Sequence, residues 1–250
     1  MKRKTAVITG AGSGIGRAAA LHFAQKKYRV VALGRTLSKV AETAALARSD
    51  EEIFPIAVDV TQPAQLTQAI QSVKQVNALV INAGICEQSA TNDADADLVW
   101  RRVIDTNLTG SWNTVHAVSE RLHQGAKVVF VSSGLGKLGR AEYTAYAASK
   151  HGMLGMMKCL ALEWAPRKIN VNAVCPGWVD TDMALSDLQK SAQRHRSSID
   201  AEELLATAAI PIGRFVSAAE VASLIGWLCS AEATAITGQA CNISGGEFGL

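Results

Sequence analysis

Short apolar runs alternate with longer amphipathic stretches from one end of the chain to the other. Seven runs have strand length and little polar interruption: Thr5–Thr9, Val30–Leu33, Ile53–Val58, Ala78–Ile81, Lys127–Val131, Asn170–Val174 and Cys241–Ile243. Between them apolar positions recur at helical spacing, as in Ile15–Lys26, Gln65–Lys74, Leu98–Leu122, Ala145–Trp164 and Ala218–Cys229. Near-continuous apolar strands separated by helices imply a parallel sheet covered on both faces. The pattern predicts an α/β fold, a doubly wound Rossmann-type parallel sheet of about seven strands with helices on both faces. It reads as a single domain over 1–250, with ligands at the carboxyl ends of the strands.

One stretch breaks the rhythm. Asp182 to Ile210 is polar and charged (Lys190, Arg194, His195, Arg196, Asp200, Glu202, Glu203) and follows a Pro-Gly turn. An insertion of that length predicts a substrate loop or lid at about 182–210, with a solvated helix pair as the alternative.

Bulk properties narrow the function classes. The net charge of +3 is too small for a nucleic-acid binder. No apolar run reaches the roughly 18 residues of a membrane span. Met1-Lys2-Arg3-Lys4 has the charge of a secretory head, but the apolar run after it is short and enters glycines, so it is read as the first strand. The five cysteines, Cys86, Cys159, Cys175, Cys229 and Cys241, show no C-x-x-C pair and no metal spacing. They predict reduced thiols, a cytoplasmic location and no metal site.

Two constellations carry chemistry. The first is Thr9-Gly10-Ala11-Gly12-Ser13-Gly14-Ile15-Gly16, set between the first strand and the first helix. Glycines there permit positive φ and close approach of backbone to phosphate, and the helix start offers free N–H groups and a positive dipole end. In that context the loop is a dinucleotide site. No acidic residue occurs from Arg17 through Val40, where an NAD site places a carboxylate for the ribose 2′-hydroxyl. Arg35, at the end of the second strand, suits a 2′-phosphate instead, so NADP is favoured, with NAD the alternative.

The second is Tyr146-Ala147-Ala148-Ser149-Lys150. Residues i and i+4 share a helix face, so a phenol and an ammonium point together. A nearby cation favours the phenolate and makes tyrosine a usable acid–base group. Upstream, the strand ending Val129-Phe130-Val131 delivers Ser132-Ser133 to the carboxyl edge of the sheet.

Together these residues resemble the short-chain dehydrogenases/reductases, in the single-domain branch of this length. The resemblance covers essentially the whole chain. It rests on Thr9-Gly10-x-x-x-Gly14-Ile15-Gly16, Asn82-Ala83-Gly84, Asn107, Ser133, Tyr146-x-x-x-Lys150 and Pro176-Gly177-x-x-x-Thr181, in family order and spacing. It implies an oxidoreductase that moves a hydride between the nicotinamide of NADP(H) and a carbonyl or secondary alcohol. Tyr146 would be the acid in reduction and the base in oxidation. Lys150 would lower the pKa of Tyr146 and hold the nicotinamide ribose. Ser133, chosen over Ser132 by spacing to Tyr146, would orient the carbonyl, and Asn107 would join a proton relay through water and Lys150. Gly10, Ser13, Gly14, Ile15 and Gly16 would cradle the pyrophosphate, with Arg35 on the 2′-phosphate. Asp59 and Val60 would meet the adenine. Asn82, Ala83 and Gly84 would line its ribose, and Pro176, Gly177, Val179 and Thr181 would place the carboxamide.

Two features depart from the family pattern. Ser13 stands where many NADP members carry a basic residue, and Asn242-Ile243-Ser244-Gly245-Gly246 lacks the acidic residue often found before the paired glycines. The resemblance further implies a small-molecule substrate and a homotetramer, or a dimer. Glu87, Gln88, Leu135, Arg140, Glu142 and Tyr143 are candidates for the substrate pocket. The alternatives are a non-catalytic dinucleotide-binding regulator and an NAD-dependent alcohol or polyol dehydrogenase of the same fold.

Overall fold

Strands buried on both faces need apolar residues in both alternating sets, and the computed structural model, which describes residues 3–248, shows that arrangement. The strands are β1 (Thr5–Thr9), β2 (Arg29–Gly34), β3 (Glu52–Ala57), β4 (Val76–Ile81), β5 (Leu122–Val131), β6 (Asn170–Pro176), β7 (Val179–Asp180), β8 (Val216–Ser217) and β9 (Ala240–Ile243). Seven of them form one sheet in the order β3-β2-β1-β4-β5-β6-β9, and β7 pairs with β8 separately. Every pairing in the large sheet is parallel. Six of the seven sequence-predicted strands fall within one of these, and the seventh, Ile53–Val58, runs one residue past the end of β3.

The helices are α1 (Gly14–Gln25), α2 (Leu37–Ala45), α3 (Pro63–Ala69), α4 (Ala96–Ile104), α5 (Gly110–Val118), α6 (Thr144–Glu163), α7 (Asp182–His195), α8 (Ile199–Ala208) and α9 (Ala218–Leu228). One sheet face carries Val7, Leu79, Val128 and Phe130 and packs on α5 and α6 through Val115, Met153 and Met157. The other carries Ala6, Ile8, Ala78 and Val129 and packs on α1 and α9 through Ala20, Phe23, Val221 and Ile225. Alternate residues of one strand thus feed two cores. The α1–α9 contact is tight: a Cβ on Gly226 would lie 2.1 Å from His22 Nε2.

Two predicted helices differ from the structure. The stretch 98–122 is not one helix. α4 ends at Ile104, a π turn spans Asp105–Thr109, α5 follows, and Leu122 already belongs to β5. The apolar period runs on through the π turn, so the pattern carries no stop signal there. The helix expected over 65–74 ends at Ala69, with the following residues in turns. The segment 182–210 is the helix pair α7 and α8, not an irregular loop.

The sheet order reverses between β1 and β4, which opens a crevice at their carboxyl ends. The elements around that crevice carry the site.

Candidate active site

Backbone geometry shapes the glycine loop. Gly10 and Gly14 have φ of +66° and +49°. A Cβ on Gly16 would come within 2.1 Å of the Gly10 carbonyl oxygen. Asn82 locks the loop onto the end of β4: its Nδ2 donates to the carbonyls of Thr9 (3.0 Å) and Gly10 (3.2 Å). The Thr9 hydroxyl in turn accepts from the N–H groups of Asn82 and Ala83. Ser13 caps α1 by position, yet no side chain bonds the first-turn N–H groups and no acidic residue lies in that turn. That cradle therefore fits an anionic phosphate.

Arg35 and Lys39 are exposed beside the loop, and neither enters an ion pair among the described residues. Arg17, in contrast, is engaged with Glu42 (3.1 Å) and the Gly12 carbonyl (2.7 Å). Asp59 uses one carboxylate oxygen on the N–H and hydroxyl of Thr61. Val60 is buried against Gly110, and its carbonyl accepts from Asn113 Nδ2 (3.0 Å).

Three of the four expected catalytic residues meet in a cleft of about 400 Å³, and the buried Asn107 is not among the residues that line it. Ser133, Tyr146 and Lys150 line it, together with Ile15, Asn82, Gly84, Pro176, Gly177, Val179 and Thr181. The ammonium of Lys150 is buried, donates to the Val131 carbonyl (2.9 Å) and stands 5.5 Å from the centre of the Tyr146 ring. Burial depresses Lys150 to about 8. Burial also pushes the Tyr146 phenol well up, with Cys86 adding to the rise and a hydrogen bond to Ser133 opposing it. The lowering of the Tyr146 pKa expected from Lys150 is therefore not seen here: burial of the phenol outweighs the nearby ammonium. The two serines differ: Ser132 donates to the Lys150 carbonyl (3.1 Å), while Ser133 caps the turn at 134–136 and faces Tyr146.

Asn107 sits in the π turn, a motif frequent at functional sites. Its Oδ1 accepts from the Ile85 N–H (2.8 Å), and its Nδ2 donates to the Ile85 carbonyl (2.9 Å) and to Ser149 Oγ (3.1 Å). A Cβ on Gly84 would lie 3.1 Å from Asn107 Oδ1 and 3.5 Å from Lys150 Nζ, so glycine keeps the space between them clear.

The substrate side holds a network with no signal in the sequence. Asp187 of α7 is buried and accepts from the Tyr143 hydroxyl (2.6 Å) and Gln88 Nε2 (3.0 Å), with Cys86 Sγ 4.0 Å away. Gln88 also meets Tyr143 (2.7 Å) and Ser191 (2.9 Å). Among the expected pocket residues, Leu135, Arg140 and Tyr143 line the cleft, together with Met183, Ala184 and Asp187 of α7. Glu87 instead pairs with Arg102, and Glu142 with Arg194 (3.0 Å). Sequence reasoning also missed Glu247 and Phe248 as cleft residues.

Comparison with known proteins identifies the family. The model of the short chain dehydrogenase family matches residues 4–192. A protein that carries the name ketoacyl reductase of the monensin polyketide synthase, from Streptomyces virginiae, is 39% identical, with 97% of this chain and 96% of that one covered. The 3-oxoacyl-acyl-carrier-protein reductase FabG of Thermotoga maritima is 35% identical, with 98% of each covered. A solved variant of actinorhodin polyketide ketoreductase with NADPH superimposes at a TM-score of 0.91 and 34% identity, covering 98% of this chain and 97% of that one. The chain belongs to the short chain dehydrogenase family, a family of oxidoreductases.

Proposed function

We propose that this protein is an NADP(H)-dependent ketoreductase that acts on the ketone of an acyl substrate through Tyr146, Lys150, Ser133 and Asn107. The observation that carries the reading is the meeting of Ser133, Tyr146 and Lys150 in one cleft beside the glycine cradle. The names of the relatives, ketoacyl reductase and 3-oxoacyl-acyl-carrier-protein reductase, support the substrate class. The exposed Arg35 and the missing carboxylate support NADP, as does the NADPH of the similar ketoreductase.

The bound nicotinamide supplies the hydride. Gly10, Ser13, Gly14, Ile15 and Gly16 hold the pyrophosphate, and Arg35 holds the 2′-phosphate. Asp59, Val60, Asn82, Ala83 and Gly84 take the adenosine half. Pro176, Gly177, Val179 and Thr181 take the carboxamide side. The Ser133 and Tyr146 hydroxyls hold the carbonyl oxygen, and Tyr146 gives it a proton. The ammonium of Lys150 then stabilises the phenolate left behind. Asn107 and Lys150, in a relay through water, return the proton. The helices over 182–210 form the lid of the pocket. Exposed Trp100, Trp112 and Leu162 on α4, α5 and α6 supply apolar surface for a homotetramer. The free cysteines suit a cytoplasmic location.

The test is NADPH absorbance with a panel of 3-oxoacyl thioesters, run beside NADH. NADPH turnover should exceed NADH turnover at least about ten-fold, and Arg35→Asp should reverse that order. Wild-type protein that oxidises neither cofactor with any ketone would end the reading.

A further inference from the structure

The sheet has a second end. Its strands run parallel, so the amino ends of β1 to β5 gather on the side away from the catalytic cleft. A separate cavity of about 620 Å³ lies there. Its apolar floor is Val31, Ile56 and Val73, which border the same core as Val7 and Leu79. α3 ends early, at Ala69, and the turns after it supply Ser72, Val73 and Lys74 to the wall instead of covering this corner of the sheet. Asn77 Oδ1 accepts from the Thr5 N–H (2.9 Å) and ties β4 to β1 beside the cavity.

The wall is one-sided in charge. Arg3, Lys4, Arg29, Lys74 and His123 line it, and no Asp or Glu among the described residues does. Arg3 is engaged with Glu52 (2.8 Å) and the Asp50 carbonyl (3.1 Å). The side chains of Lys4, Arg29 and Lys74 make no ion pair or hydrogen bond among the described residues. Arg29 is held all the same: its guanidinium lies 4.4 Å from the centre of the exposed Phe54 ring. That contact steadies the group and leaves its N–H donors unspent.

Like charges around one hollow repel each other, and an anion of several charges relieves this better than a single carboxylate. The volume falls within the roughly 300–1,000 Å³ of small-molecule sites, far more than an inorganic ion fills. The guanidinium–phenyl pair and the aliphatic floor suit a flat ring. We infer that this basal cavity binds a nucleoside polyphosphate, with its phosphates on Lys4, Arg29 and Lys74 and its base against Phe54 and the aliphatic floor. The site lies at the other end of β1 and β2 from the glycine cradle and does not depend on the ketoreductase reading.

ATP is the probe, titrated calorimetrically into the full-length protein beside inorganic tripolyphosphate and AMP. ATP should bind with a Kd below about 1 mM. Tripolyphosphate, which lacks the base, and AMP, which lacks two phosphates, should each bind about ten-fold more weakly. ATP shares adenosine and phosphates with NADPH, so variants at the two ends of the sheet tell the sites apart. Lys74→Glu, on an exposed turn, and Arg29→Ala, both shown to be folded by thermal melts, should each weaken ATP about ten-fold and leave NADPH affinity within about two-fold. Gly16→Ala should do the reverse, with ATP within about two-fold of the wild type. ATP binding that is lost in Gly16→Ala and survives Lys74→Glu and Arg29→Ala would assign the probe to the cradle and overturn the basal site. Tripolyphosphate or AMP binding as tightly as ATP, or no ATP binding up to about 1 mM, would overturn it too.

Discussion

The two halves of the cleft are built by different means. On the cofactor side the shape is set by backbone: Gly10 and Gly14 at positive φ, Gly16 pressed on the Gly10 carbonyl, and Asn82 bonded to main-chain oxygens. On the substrate side it is set by side chains that bond across long stretches of sequence, such as Gln88 to Asp187 and Tyr143 to Asp187. A backbone cradle tolerates almost no substitution and holds one ligand type. A side-chain network can be rebuilt one residue at a time, and so can serve different substrates on the same frame.

The largest expected effect cleaves the two halves apart. Tyr146→Phe removes the proposed proton donor without touching the cradle. Turnover should fall about 10³-fold, within the usual range for lost acid–base catalysis. NADPH affinity, read by fluorescence titration, should stay within about three-fold, as expected when no cradle contact is lost. Normal turnover in that variant would remove Tyr146 from the mechanism.

The next effect strikes the cradle alone. Gly16→Ala forces a Cβ to 2.1 Å from a carbonyl oxygen, so the loop must shift. Overpacking of this kind costs about 1–3 kcal/mol. Melting should drop by roughly 2–4 °C per kcal/mol for a chain of this size. NADPH binding should weaken by about ten-fold or more, since the loop can no longer present its N–H groups as before. A variant with native melting and native NADPH affinity would show that the loop has slack.

A third variant addresses the pocket. Asp187→Ala leaves the Tyr143 hydroxyl and the Gln88 amide without their shared acceptor and loosens α7 from the cleft. The KM for the ketone should rise about ten-fold, in keeping with the loss of hydrogen bonds to a charged group, while NADPH affinity is unchanged. A change in NADPH affinity as large as the change in KM would mean that the two halves are not separate.

The same contrast decides what could be read from the sequence. The cradle is local: its glycines, the strand before them and the helix after them are contiguous, so Gly10 to Gly16 announce themselves. Tyr146 and Lys150 are one helical turn apart and equally visible. The network of Cys86, Gln88, Tyr143 and Asp187 joins residues up to 101 positions apart, and no periodicity connects them. Glu247 and Phe248 reach the cleft through the room left at Gly177 and Gly134 respectively, which read as ordinary turn glycines in the sequence. The π turn around Asn107 was hidden for a different reason. One extra residue per turn leaves the apolar period of the flanking helices nearly intact.

The smallest expected effect concerns a group at the border of the two halves. Burial depresses Lys150 from its ordinary 10.5 to about 8. Between those values the unfolded chain binds a proton that the folded one does not, so this residue makes stability rise with pH across that window. Tyr146 and Cys86, both raised by burial, act oppositely: their contribution is complete below their ordinary values and is lost as pH climbs above them. Melting curves therefore mix the two signs, whereas kcat/KM reports the free enzyme's own groups. Below pH 8 the ammonium is present to support the phenolate of Tyr146; above it the charge is lost. The wild-type kcat/KM should bend downward near pH 8 and fall about three- to ten-fold by pH 9, the slope of a single titration. Lys150→Arg, always charged, should lose that bend whatever its absolute rate. A wild-type profile flat to pH 9.5, or the same bend in the arginine variant, would place the titrating group elsewhere than Lys150.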